Sequence, residues 1–179
     1  MKYLVILFLL VTGVFAKGQT SNVQDTSVEF QMIDREDYTI QFPVNWSIDT
    51  TKLMGADLVL FSQKRSDSDR FRENVNVMIQ DLKGSNVDLD KFVDVSTEQI
   101  KNLLTNANII ESTRLHRATN EFHKLIFSGT QGIFTLKTEQ YYFVANEKAF
   151  VITLTTEKNE YDNYKKVGEM ILASFDPKK

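Results

Sequence analysis

The sequence predicts an α+β domain: an antiparallel β-sheet of six to seven strands flanked by helices. Three observations carry this. Short segments of period-two alternation or continuous apolar character recur through the middle of the chain. Two other segments place apolar residues three and four apart, the spacing of one helix face. The strands of the second half are separated by very short connections, which suit an antiparallel meander.

The elements follow in order. Tyr38, Ile40 and Phe42 alternate with Thr39 and Gln41, so residues 38–42 read as a half-buried strand. Pro43 ends it, because proline cannot donate to a sheet ladder, and Trp46 is expected to pack beneath the turn that follows. Ala56 to Phe61 is a nearly unbroken apolar run, suited to an internal strand. Ser62 to Asn74 is strongly polar, with Phe71 its single aromatic, and reads as a solvated loop. Val75, Val77 and Ile79 alternate with Asn74, Asn76 and Met78 in the next strand. Leu89, Phe92, Ser96, Ile100, Leu103 and Leu104 form a helical stripe, with Asp88 as the side-chain cap of its first turn. Four strands are then expected at Ile109–His116, Phe122–Ser128, Ile133–Val144 and Ala149–Thr155. A second helix, from about Glu160 to Ala173, carries Tyr161, Tyr164, Val167, Gly168 and Ile171 on one face, and Phe175 continues the stripe. Each helix must lie on the sheet to bury its stripe, so helices cover at least one sheet face.

Composition narrows the function classes. A chain of 179 residues with 42% hydrophobic and 25% charged residues suits one globular domain. Its 24 acids outnumber its 21 bases, which argues against nucleic acid as a partner. It has no cysteine, so disulfides, thiolate metal sites and thiol nucleophiles are excluded.

Residues 1–16 (MKYLVILFLLVTGVFA) have the layout of a cleaved signal peptide. Lys2 is the positive start, an apolar core follows, and Val14 and Ala16 are small enough for cleavage after Ala16, with cleavage after Gly18 the alternative. The run is too short for a membrane anchor, which needs ~20 apolar residues. Residues 17–27 are then a flexible polar leader, and residues 28–176 a single domain of a secreted or periplasmic protein with no stable membrane span after cleavage.

Two local patterns, with the order of the elements, carry a resemblance. Tyr38-Thr39-Ile40-Gln41-Phe42-Pro43-Val44-Asn45-Trp46 opens the domain, and the strand Phe150 to Thr155 leads through the last helix to Ser174-Phe175. Over residues 28–176 the chain resembles the PsbP-like family, which includes the DcrB-like proteins. The resemblance implies an αβα sandwich and a non-enzymatic accessory protein that binds other proteins. It brings no catalytic residues.

The remaining chemistry is sparse. The seven glycines form neither a dinucleotide fingerprint nor a phosphate loop, and there is no nucleophile elbow or zinc-protease motif. Asp88, Asp90 and Asp94 suit a helix N-terminus through its dipole, without calcium. Asp67 and Asp69 are interleaved with Lys64, Arg65, Arg70 and Arg72, a mixed-charge loop of the kind on which partners dock. His116 and His123 are the only imidazoles. With Thr119-Asn120 as a two-residue turn they would face each other across a hairpin, with Glu111 and Glu121 pointing to the other face. Two histidines fall short of the three or four protein ligands zinc takes, so no metal site is expected. No catalytic, cofactor-binding or metal-ligating residue is assigned and no cofactor is expected. The reading is an exported, non-catalytic binding or assembly module with an envelope or extracellular protein as partner. The alternatives are a small-ligand- or metal-binding periplasmic protein and, behind these, a hydrolase.

Overall fold

The computed structural model describes residues 28–117 and 120–178. The signal peptide and the leader expected at 1–27 lie outside them. Ten strands and two α-helices follow in the order β1 (Phe30–Asp34), β2 (Tyr38–Pro43), β3 (Ser47–Asp49), β4 (Leu58–Phe61), β5 (Asn74–Asp81), α1 (Leu89–Leu103), β6 (Thr105–His116), β7 (Glu121–Gln131), β8 (Phe134–Ala145), β9 (Lys148–Glu157), α2 (Tyr161–Ser174) and β10 (Asp176–Pro177).

Seven strands form one antiparallel sheet in the order β3-β4-β5-β9-β8-β7-β6. β1, β2 and β10 form a second, three-stranded antiparallel sheet. The helices take opposite faces of the large sheet. Ile171 and Leu172 of α2 join Val75, Val77, Phe143, Ile152 and Leu154, and β2 adds Tyr38, Ile40 and Phe42 to the same core. Leu89, Phe92, Val93 and Ile100 of α1 join Leu125, Phe127, Leu136 and Tyr142 on the other side. The architecture is an αβα sandwich.

Coverage on both faces explains β9, where every residue from Ala149 to Thr156 is buried. A strand with no solvent face has no reason to alternate. The hairpin turns follow local chemistry. Asn146 and Glu147 between β8 and β9 both have φ near +50° to +57°, the two left-handed positions of a type I′ turn. Gly132 has φ +60° between β7 and β8, which suits the first position of a type II′ turn. That turn lifts Ile133 out of the strand expected at 133–144 and leaves it 73% exposed.

Most sequence expectations hold. Asp88 caps α1 by accepting the Lys91 N–H at 2.9 Å. Leu89, Phe92, Ser96 and Ile100 are buried. Leu103 is not: it is 62% exposed, because the helix ends there and Leu104 turns inward instead. β2 ends at Pro43, the Trp46 N–H donates to the Pro43 carbonyl at 3.0 Å, and Trp46 is 8% exposed in the core under α2.

Candidate functional site

The loop between β4 and β5 differs from the solvated segment expected. Its base is closed by the Ser62 N–H donating to the Glu73 carbonyl at 2.9 Å. Ser62, Phe71, Glu73 and Asn74 are all buried. Phe71 meets Phe134 with ring centroids 5.3 Å apart, so a single aromatic anchors the loop in the core under α1. Arg72 lies along the loop's inner side. It donates to the Ser62 carbonyl at 2.7 Å and the Ser47 hydroxyl at 2.8 Å, and its guanidinium sits 4.9 Å above the Phe61 ring.

Arg65 is also engaged. Its guanidinium pairs with Asp69 at 3.5 Å, with Glu157 at 3.7 Å and, at shorter range, with Glu160. Asp69 also accepts the backbone N–H groups of Arg65 at 3.2 Å and Phe71 at 3.3 Å. Of the loop's three arginines, Arg65 and Arg72 hold it in shape. Arg70 is exposed and has no ion pair among the described residues. Ser66, Asp67 and Ser68 are exposed beside it.

Between this loop and the β7–β8 turn lies a cleft of about 420 Å³, lined by Arg65, Asp69, Arg70, Phe71, Ile133, Phe134 and Glu157. Close to the loop, Glu73 is fully buried and neither carboxylate oxygen has a hydrogen-bond partner in the protein. Burial pushes its pKa from 4.5 up to about 6, against the opposing pull of its own backbone N–H and of Arg65.

The histidines take a different register from the one expected. His116 pairs with Glu121, and Arg114 with His123. The cause is anchoring by the segment after α2. Arg117 donates to the Phe175 carbonyl at 3.0 Å and lies 4.5 Å over the Phe122 ring, while Asn120 donates to Asp176 at 3.0 Å. The Arg117 N–H then closes the hairpin on the Asn120 carbonyl at 2.7 Å. Glu121 therefore shares a face with both histidines, contrary to expectation, and lies 3.7 Å from His116. Among the described residues no three His, Asp or Glu side chains converge as a metal set.

His123 Nε2 lies 2.8 Å from Ser112 Oγ in a groove of about 310 Å³ against α1. Burial, then Arg114, lowers the His123 pKa, so the imidazole is neutral near pH 7. Asp90 and Asp94 line the same groove, but Asp90 pairs with Arg114. Ser112 stands within a β-strand at the sheet edge, not on the strained turn that activates a hydrolase serine.

Sequence reasoning passed over one further group. Asn74 and Asn76 alternate with the valines of their strand, yet both are buried, as are Thr138, Gln140, Thr153 and Thr155. The signal was present in threonines set inside the apolar run of β9.

No family model matches the chain, and no curated protein matches it in sequence. Solved structures do. The solution structure of cyanobacterial PsbP from Synechocystis sp. PCC 6803 superposes with a TM-score of 0.66 at 17% identity, covering 89% of this chain and 98% of that one. A Pseudomonas aeruginosa protein of unknown function gives 0.60 at 10% identity, over 84% of this chain and 98% of its own. LpqN of Mycobacterium tuberculosis, described as involved in cell envelope biogenesis, gives 0.58 at 11% identity, over 87% and 94%. At these identities the likeness is one of fold. The chain has the PsbP-like fold, an antiparallel sheet between two helices, as its opening strand-proline-tryptophan segment implied.

Proposed function

We propose that the chain is exported, loses residues 1–16, and works as a non-catalytic accessory protein of the cell envelope that docks another protein at the cleft beside the Ser62–Glu73 loop. The observation that carries this is the pairing of an anchored loop with an exposed apolar tip. Ile133 is 73% exposed, the highest value among the large hydrophobic side chains of the described residues, and stands at the rim of the cleft with Arg70. An apolar anchor with a charged rim is the usual anatomy of a docking patch. Phe71, Arg65 and Arg72 hold the loop in one shape, which lowers the ordering cost of binding. The involvement of LpqN in cell envelope biogenesis supports the location.

Capture from the native envelope fraction tests the reading, using the mature protein beside the variants Ile133→Asp and Arg70→Glu. Neither side chain is buried, so both variants should unfold at the wild-type urea midpoint. The expected result is a partner retained by the wild type and lost with both variants. Equal capture by all three moves the docking surface elsewhere. Intact mass of the envelope protein tests export, and a chain that keeps Met1 overturns it.

A further inference from the structure

Six buried polar side chains form two rungs across three neighbouring strands. The register places Asn74 opposite Thr155 and Thr155 opposite Thr138; one rung away, Asn76 meets Thr153 and Thr153 meets Gln140. All six lie on the α1 side of the sheet, because their strand neighbours Val75, Val77, Ile152, Leu154 and Tyr141 belong to the core under α2. None is more than 3% exposed.

The second rung is partly self-satisfied. Gln140 donates to the Thr153 hydroxyl at 3.0 Å and accepts from the Tyr142 hydroxyl. Four atoms have no partner in the protein: Asn74 Oδ1, Asn76 Nδ2, Thr138 Oγ1 and Thr155 Oγ1. They offer one acceptor, one donor and two hydroxyls that serve as either. Buried polar groups are rarely left unpaired, because each loses its water without replacement. β5 and β9 fill their opposite face with Val75, Val77, Ile152 and Leu154, so this sequence does not lack the means to build an apolar layer.

We infer that the two rungs form an internal hydrogen-bonding site for a small neutral guest bearing hydroxyl groups, either water or a polyol such as glycerol. Neutrality follows from the inventory: amides and hydroxyls line the rungs, and none of the six is charged. The cleft adjoins the first rung along β9. Glu157, two residues beyond Thr155 on the same face of β9, lines that cleft, as does Phe71, which packs in the core of this face. The site is separate from the docking patch and does not depend on a protein partner.

Crystals of the mature protein grown without polyol, and the same crystals soaked in glycerol, test the inference. The expected result is ordered density within ~2.7–3.2 Å of Asn74 Oδ1, Thr138 Oγ1 and Thr155 Oγ1. Water in both crystals names water as the guest; glycerol replacing it in the soak names polyols. Side chains paired directly with one another, with no density between the rungs, overturn the site. Urea unfolding of Thr138→Val and Thr155→Val gives a second readout. Hydroxyls bonded to a guest predict an unfolding constant raised about fivefold in each variant. A constant that falls shows hydroxyls that had no guest, and overturns it too.

Discussion

The two faces of the large sheet solve burial differently. Under α2 the core is aromatic and apolar: Phe175 stacks against Tyr38, Phe143 and Phe150 with centroids 5.1, 5.3 and 5.7 Å away. The one fully buried carboxylate on that face of β8, Glu139, has partners of its own. It accepts from the Tyr161 hydroxyl at 2.7 Å and lies 3.5 Å from the Lys124 ammonium. Burial works against the Lys124 charge, but Glu139, Glu111 and Glu169 outweigh it and hold its pKa above the ordinary value. Under α1 the buried polar groups are uncharged, and four of their atoms have no protein partner. Glu139 sits beside a cation and a donor hydroxyl, whereas the four α1-side atoms have neither. The contrast is between a buried charge set beside its counter-ion and buried neutral groups left without protein partners.

The largest test of the apolar face is Trp46→Ala. Truncating a buried aromatic should cost ~3–5 kcal/mol in equilibrium urea unfolding. A loss below ~1 kcal/mol would mean that the turn after Pro43 contributes little to that core, well short of the cost of a core cavity.

Next comes Lys124→Met, which leaves Glu139 buried without its cation. The expected cost is ~2–3 kcal/mol, below the usual range for breaking a buried pair because the Lys124 side chain is 15% exposed. The double variant with Glu139→Gln should recover part of this. No recovery would show that the ion pair is not what holds Glu139 in place.

Glu73 gives a smaller effect with a definite sign. Its folded pKa of about 6 lies above the ordinary 4.5, so between these values the folded state binds the extra proton. Its contribution is therefore full below about pH 4.5 and is lost as pH rises through about 6. Glu73→Gln should raise stability at pH 7 by ~1–2 kcal/mol and flatten that part of the stability–pH profile. A profile identical to wild type would show that the carboxylate is hydrated after all.

The smallest is Asp88→Ala on the α1 face. Losing the cap to the Lys91 N–H should cost ~1 kcal/mol. Amide exchange should quicken in the first turn of α1, with β9 unchanged.

The sequence made the elements legible because each obeys a local rule. Asp88 announced a helix start, Pro43 a strand end, and the stripes from Leu89 and Tyr161 two helices. What escaped was decided by contacts far apart in the chain. The hairpin register depends on Arg117 and Asn120 reaching Phe175 and Asp176, which no turn rule encodes. The loop charges Arg65 and Arg72 looked free because Glu157, Glu160 and Ser47 are distant in sequence. The polar rungs could not be read from the sequence, since one strand read alone cannot show that helices cover both sides. Of the candidate cleft, the loop was visible beforehand, but not its rigidity or its neighbour Ile133.

The small sheet has a consequence for the timing of folding. β2, near the start of the described chain, pairs with β10, Asp176–Pro177, and the Phe175 ring fills the space between Tyr38, Phe143 and Phe150. Asn146 adds a bond to the Lys178 carbonyl at 2.8 Å. Opening and closing segments therefore latch together, a pairing of very high sequence separation. A growing polypeptide cannot close this latch until residues 175–178 have been synthesised. Up to that moment Tyr38, Phe143 and Phe150 lack the ring that packs against all three, so the core under α2 is completed last.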